Sequence, residues 1–404
     1  MGFFDNFTEP HTLKAESNWT TIFSNFETSS GAKITSDNAM RHSIVWACNK
    51  VLSESIASLP LVLYKEDDNG NRTKAKEHPL YNLLSTLPNK EHTSMQWRET
   101  MITSLNYKGN HYTQIIRNQK GEIVSLYGLD TNRMTVQRLE STGEIVFLYD
   151  TGTKTVPLNF GDVLNVAGLS IDGLVGLSPI AHNAESIGLS VAMEEFGGKY
   201  FKNGSTATGA LSYPNELTEE AYKRLKEDFN KNWAGMKNTH KPLLLEGGAK
   251  FEKLSMSNQD SQFLEARKYQ KQDIAMIFRV PLHMLNDLEK ANYNSLEQLS
   301  LGFVIYSLTP ILVRLEQAFM RDLLTDNERK QGYYIKHNLA GLLRGDMTTR
   351  FNVYDKAIKN GIYTINDVLR LEDMNQVENG NDRYMQGAMT TIENINKGTN
   401  YGAN

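Results

Sequence analysis

Residues 263–285 read FLEARKYQKQDIAMIFRVPLHML, a long amphipathic helix stopped by a proline, and the architecture is easiest to read outward from it. Phe263, Ala266, Gln270, Ile274, Ile277 and Phe278 recur at three- and four-residue steps, so one stripe is mostly apolar. Glu265, Arg267, Lys268, Lys271, Gln272 and Asp273 lie off that stripe. Ser257, with Asp260 three residues on, marks the start; Val280-Pro281 marks the stop, because proline lacks the amide N–H a helix needs. The segment carries no catalytic constellation. It is a helix built to pack, not to react.

Upstream, KPLLLEGGAKFEKLSM (241–256) reads as two short strands around Gly247-Gly248. Before it, LTEEAYKRLKEDFNKNW (217–233) reads as a helix, with Thr218 as N-cap and two glutamates suited to the positive helix end. Helix, β element and long helix in that order make a stalk with a β tip if the helices run antiparallel. Earlier still, SPIAHNAESIGLSVAMEEFGGKYFKNG (178–204) is a helix with Pro179 in its first turn and Gly204 near its end. A helix is expected from Asp37 to Leu59, then a strand LVLYK (61–65), a turn at Asp68-Asn69-Gly70, and helices over 78–88 and 93–109, the latter capped by Gly109. HYTQIIRNQKGEIVSLYGL (111–129), MTVQRLESTGEIVFLYD (134–150) and KTVPLNFGDVLNVAG (154–168) follow as strand-turn units, with turns at Lys120-Gly121 and Thr142-Gly143. Antiparallel strands with peripheral helices give an α+β fold. Residues 1–35, rich in Thr, Ser and Asn, read as a flexible arm.

With 404 residues, 40% of them hydrophobic, the chain can bury a substantial core divided into two or three sub-domains. Lysine and arginine total 43 against 47 acidic residues, a formal charge of -4, which argues against a sequence-reading DNA binder. Cys48, the single cysteine, lies in an apolar helical run and reads as a small buried hydrophobe in a reducing compartment. The N-terminus has no basic n-region or sustained apolar core, so no signal peptide is expected. Leu299 to Val313 is uncharged but short for a bilayer and contains Pro310; its flanks suit a soluble helix, so a buried interface is the better reading and no membrane is expected.

Several motifs fail on inspection. DGLVGLSPI (172–180) lacks the Gly-Lys-Ser/Thr ending of a phosphate loop, and Gly197-Gly198-Lys199 lacks the upstream glycine, so no nucleotide cofactor is expected. Gly176-Leu177-Ser178 runs into Pro179, not glycine, and so makes no nucleophile elbow. The nine histidines form no HExxH pair, which leaves a zinc site without support. Arg344-Gly345-Asp346 is better read as a loop in which Asp346 caps the next helix. Glu194-Glu195 and Glu219-Glu220 are helix-surface charge, because adjacent helix positions diverge. No catalytic residue, cofactor or metal is therefore expected.

Five segments together carry a family resemblance: VWACNKVLSESIASLPLVLY (45–64), HPLYNLLSTLPN (78–89), DGLVGLSPIAHNAESIGLSVAMEEFGGKYFKNG (172–204), LSMSNQDSQFLEARKYQKQDIAMIFRVPLHML (254–285) and LAGLLRGDMTTRFNVYDKAIKNGIYTINDVLRLEDM (339–374). In that order they resemble the portal proteins of tailed bacteriophages, in the branch shared with lambdoid-like siphophages and gene transfer agents. The resemblance implies a ring, usually a dodecamer, at one capsid vertex, through which DNA enters during packaging and leaves during ejection, with no reaction of its own. It implies a wing over 36–205, a stem and clip over 206–280 with the clip at about 241–255, and a tunnel loop over 281–295. A long helix and return to the wing would follow over 296–345, then a helical crown over 346–374 and a flexible tail over 375–404.

By the same resemblance, Phe263, Ala266, Ile274, Ile277 and Phe278 would be stem contacts between subunits, and Leu244, Glu246, Gly247, Gly248 and Lys250 clip contacts to the large terminase subunit and later the head–tail adaptor. Asn286, Asp287, Glu289, Lys290, Asn292 and Asn294 would face double-stranded DNA without sequence preference, Lys290 and Asn292 most closely. Both charge signs and neutral amides can touch phosphates without gripping them, although an ordinary polar loop is a reading of equal weight. A capsid or scaffold protein would be a further partner, with the chain in the virion and, during assembly, the host cytoplasm. Two rivals stand beside this: a packaging-associated nuclease, which would need clustered carboxylates for metal ions, and another phage structural ring or capsid protein.

Overall fold

The computed structural model describes residues 28–31, 33–68, 70–139, 142–202, 209–212, 218–232, 250–253, 257–287, 293–339, 347–372 and 374–384. The chain forms two compact units: one of Met1–Asn18, Ala47–Ser178 and Arg279–Asn404, the other of Trp19–Trp46 and Pro179–Phe278.

The first unit is the α+β body. Strand β1 (Leu61–Glu66) leads through a turn closed by Gly70, φ 81°, into β2 (Arg72–Lys74). Its other edge pairs antiparallel with β11 (Tyr333–His337), placing Leu63 opposite Ile335, so this sheet is closed by a strand far away in sequence. Helix α3 (Pro79–Ser85) packs on β1 and contributes Leu80 and Leu84 to the core. Helix α4 (Ser94–Lys108) opens with a capping box: Thr93 Oγ1 accepts from Gln96 N (3.2 Å) and Gln96 Oε1 accepts from Thr93 N (3.0 Å). It ends at Gly109, φ 78°, where a Cβ would lie 2.1 Å from the Leu177 carbonyl oxygen, so the left-handed cap and close backbone approach both require glycine.

Strands β3 (Asn110–Arg117) and β4 (Ile123–Leu129) form the expected hairpin around Gly121. β5 (Met134–Arg138) and β6 (Ile145–Asp150) form the next. The third expected unit, 154–168, is not a hairpin: β7 (Thr155–Asn159) pairs with β6, whereas β8 (Val163–Ala167) pairs with β3. A 3₁₀ turn at Phe160–Asp162 moves the chain from sheet β5-β6-β7 to sheet β4-β3-β8. The turn chemistry marked a reversal, but strand pairing was decided by burial: Val163, Leu164 and Val166 are core residues.

Among the described residues, the second unit is helical with one β pair. The helix expected over 37–59 is broken into α1 (Ser36–Ala39) and α2 (Ser43–Ala57), whose later part belongs to the first unit. Tight bonds from Arg41 N to Asn38 O and from His42 N to Ala39 O make the break. It leaves the His42 ring buried, with Nε2 2.9 Å from Ser190 Oγ. Helices α5 (Pro179–His182) and α6 (Ala184–Lys202) follow, then β9 (Gly209–Ser212), α7 (Glu219–Asn232), β10 (Lys250–Lys253) and α8 (Ser257–Ile277). Thr218 Oγ1 accepts from Ala221 N at 3.4 Å, the capping role its position suggested. Helix α6 packs on α8, where the Ser186 hydroxyl donates to Asp273.

Beyond α8 the first unit resumes with α9 (Tyr293–Gly302), a π-helical stretch Phe303–Leu308, and α10 (Thr309–Leu323), one helical run. Pro310 does not end it. The proline removes one amide donor and crowds the preceding turn, and the wider π turn accommodates both effects; Thr309 Oγ1 donates to the Val304 carbonyl at 2.8 Å. Helix α10 packs on β8 and β11 through Leu312, Leu315 and Phe319, with the Phe319 and Trp97 rings stacked at 5.8 Å. Helices α11 (Asp326–Lys330), α12 (Met347–Lys359) and α13 (Ile365–Leu371) follow. The start of the expected flexible tail is folded. Asn366 is buried, accepts from Val377 N and donates to Val377 O, while Asn375 Oδ1 accepts from Arg72 N at 2.9 Å.

Candidate functional site

The segment that joins α8 to α9 is the candidate site, and its two feet are built differently. Helix α8 ends at Ile277, and Arg279 adopts φ 54°, a left-handed conformation that a non-glycine residue holds only when its surroundings impose it. Here the surroundings are visible: the Arg279 carbonyl accepts from Ser307 Oγ at 2.5 Å, which ties the chain leaving α8 to the π turn of the long helix. Val280 is buried behind it. Burial and the nearby Arg279 charge hold the Arg314 guanidinium below the usual arginine range.

Pro281 then starts a 3₁₀ turn, Leu282–Leu285. Asn286, φ 59°, reverses the chain, with its N–H on His283 O (3.2 Å) and Asp287 N on Leu282 O (3.1 Å). Asparagine is among the few residues that tolerate this conformation. Asn286 is exposed and Asp287 half-buried. Glu289, Lys290 and Asn292 lie outside the described residues. Asn294 belongs to the first turn of α9, not to the loop, so the loop ends sooner than expected. The helix begins there because the apolar spacing of the long helix already extends back to it.

The stem residues require a correction. Two members of the stripe, Ile274 and Phe278, are 0% and 6% exposed in the single chain. These two side chains are committed inside the subunit and leave no surface for a neighbour. Ala266 and Ile277 are half-buried; Phe263 stands in the helix with its side chain outside the described residues. Among the described side chains of α8, Tyr269 and Met276 are large, apolar and exposed, and both lie off the stripe.

At the expected clip, Leu244, Glu246, Gly247 and Gly248 are outside the described residues, as are Arg344, Gly345 and Asp346. Lys250 opens β10 and is exposed. Strand β10 pairs antiparallel with β9, Lys250 opposite Ser212, so its described partner comes from before α7 and not from across Gly247-Gly248. Nothing in the local turn signal at 247–248 encodes that long-range pairing.

Reactive chemistry is not assembled among the described residues. No three His, Cys, Asp or Glu side chains converge there as metal ligands. Cys48 is buried and its thiol is pushed up to about 12 by desolvation. His111, fully buried with Nε2 2.8 Å from Thr113 Oγ1, is pushed down to about 3 by burial and remains a neutral core residue. A cleft lined by Arg117, Phe160, Arg321 and Arg329 has its guanidiniums engaged: Arg321 on Asp322 and the Asn165 carbonyl, Arg329 on the carbonyls that end α10 and on Asp326. The geometry makes a scaffold with a tethered loop.

Comparison with known proteins identifies the family. The family model described as phage portal protein matches residues 43–373. The portal protein of Enterobacteria phage HK97 is 32% identical over 373 residues, 91% of this chain and 87% of that one. Among solved structures, a chain in the neck of an empty gene transfer agent particle, computed with C6 symmetry, aligns at TM-score 0.63 and 21% identity, covering 85% of this chain and 94% of its own. An HK97-family phage portal protein from Corynebacterium diphtheriae aligns at TM-score 0.55 and 15% identity over 76% of this chain and 96% of that one. A family match spanning most of the chain, in the order its segments predict, leads to one conclusion: the chain belongs to the phage portal protein family.

Proposed function

We propose that copies of this chain close into a ring, a dodecamer by analogy with the family, whose axial channel passes double-stranded DNA through one vertex of a phage capsid during packaging and ejection. The family match over 43–373 carries the portal role. A structural role within a phage particle follows from membership. Residence in the host cytoplasm during assembly is a further part of the proposal. So are the partners: the large terminase subunit and later the head–tail adaptor at the clip around Lys250, and capsid or scaffold protein around the ring.

The anchored segment after α8 supports a channel loop. Its first foot is fixed by the Ser307–Arg279 bond, and its second runs into a helix whose inner face is locked into the sheets. A loop between such feet can change its contacts with passing DNA while the body keeps its shape. Asn286 and Asp287 place a neutral amide and one carboxylate at its beginning, and the sequence adds Glu289, Lys290 and Asn292. Mixed charge of this kind gives weak, salt-screened contact with phosphates.

Shortening residues 288–292 tests the assignment. Rings and procapsids are expected to form normally, while packaged or retained DNA falls, measured by a packaging assay beside micrographs of the same variant. Normal filling and retention of full-length DNA would remove the loop from the mechanism. The nuclease rival makes the opposite demand, metal-dependent cleavage of DNA by the purified chain.

A further inference from the structure

The long helix from Gln298 to Leu323 is apolar and long enough to cross a membrane by length and composition, yet only a third of its most apolar window is buried. Its sequence has no charged residue between Glu297 and Arg314. One face is accounted for: Phe303, Val304, Leu308, Leu312, Leu315 and Phe319 form core. The other face presents Leu299, Ile305, Tyr306, Pro310 and Val313 to solvent, and Tyr306 is 72% exposed. Leu299, Tyr306 and Val313 recur at two-turn spacing, a continuous apolar stripe about 20 Å long. Two neighbouring hydroxyls are already engaged, Ser307 Oγ with Arg279 O and Thr309 Oγ1 with Val304 O.

Of the surfaces that could cover such a face, a bilayer and DNA fit badly. A bilayer would have to surround the helix, whose inner face is packed on β8 and β11. Duplex DNA presents phosphates, and the stripe offers them no cation before Arg314 at its far end. A second copy of the same chain suits the ring: rotational symmetry makes each subunit present this stripe once to one neighbour. The exposed side chains would bury on the order of 400 Å² per subunit, about half of one side of a standard interface.

We propose that the outer stripe of the long helix, Leu299, Ile305, Tyr306 and Val313, is part of the subunit–subunit interface and is covered by the neighbouring copy. This rests on the ring reading above. It assigns to the long helix the assembly role that Ile274 and Phe278 of α8 are too deeply buried to perform.

The test combines Tyr306→Glu and Val313→Glu in the full chain. The doubly substituted protein is expected to keep the wild-type circular dichroism and thermal midpoint as a monomer, while its threshold for ring formation rises at least tenfold in concentration, by sedimentation velocity and electron microscopy. Rings at the wild-type threshold would overturn the inference and leave the ring reading intact; a wild-type protein that never forms rings would sink both. A milder probe covers loss of folding: Tyr306→Cys with a charged maleimide, read against Cys48, which is buried and unreactive in the same chain. Labelling at least tenfold slower in rings than in dilute monomer supports the interface, and equal rates overturn it. Tyr306-dependent flotation of folded protein with phosphatidylcholine vesicles would also overturn it, in favour of a membrane.

Discussion

The helices on either side of the candidate loop both carry apolar stripes, and they use them in opposite ways. At the end of α8, Ile274 and the following Phe278 are buried inside one subunit, while Tyr269 and Met276 are exposed. In the run from α9 to α10 the inner face fills the core through Leu312, Leu315 and Phe319, and a second apolar face is left over. Amphipathic spacing says that a face will be buried. It does not say whether the covering surface belongs to the same chain or to the next one, because apolar area leaving water gains the same free energy in either case.

The largest expected effect would break this contrast if it failed. Ile274→Asp should destabilise the isolated subunit by on the order of 4 kcal/mol or more, because it buries an unpaired carboxylate. Denaturant unfolding of the dissociated chain checks it; an unchanged midpoint together with lost rings would return Ile274 to the interface. Phe319→Ala, on the inner face of α10, should lower subunit stability by about 3–5 kcal/mol through the cavity left beside Trp97. The Tyr306 and Val313 substitutions should leave that same midpoint unchanged.

Acid sharpens the contrast in another way. His337, on the strand beneath α10, donates from Nδ1 to Glu316 at 2.9 Å, yet burial is the larger influence and holds it below the usual histidine range, with the Arg98 charge acting in the same direction. Its folded-state affinity for a proton is therefore lower than in the unfolded chain, so the unfolded state binds more protons and stability falls as pH drops through the ordinary histidine range. His111 adds to the same trend, from about pH 6.5 down towards about 3. Unfolding midpoints at pH 7 and 5 are expected to show the lower value at 5, and His111→Gln should flatten part of the slope. The smallest effect belongs to the cap after α10. Thr325 Oγ1 accepts from Glu328 N at 3.2 Å, and Thr325→Ala should lower stability by about 1 kcal/mol, seen as a small shift in thermal midpoint with ring formation retained.

Local chemistry made some of this legible in advance. The spacing that placed a stripe on α8, the Thr218 cap, the Gly109 stop and the Gly121 and Gly143 turns all act over a few residues, and all are present in the structure. The family resemblance was legible for a related reason: its segments are long enough to be recognised in order without knowing which ones touch. The candidate site was less legible. Asn286 and Asp287 stand in the expected loop, but Asn294 was assigned to it because a polar run does not reveal where the next helix starts.

By itself, then, the sequence determined the main element types, the α+β class and the family, because these depend on periodicity, turn geometry and ordered segments within short windows. Tertiary structure alone decided that β1 pairs with β11, that β7 and β8 part to different sheets, that β10 pairs with β9, and that Ile274 faces inward. It also decided that Pro310 widens the long helix without ending it, leaving Tyr306 outside. The physical reason is common to all of these. A residue's pattern states how much surface it must lose to water, but the partner that removes that surface can come from any distance along the chain, and only packing selects it.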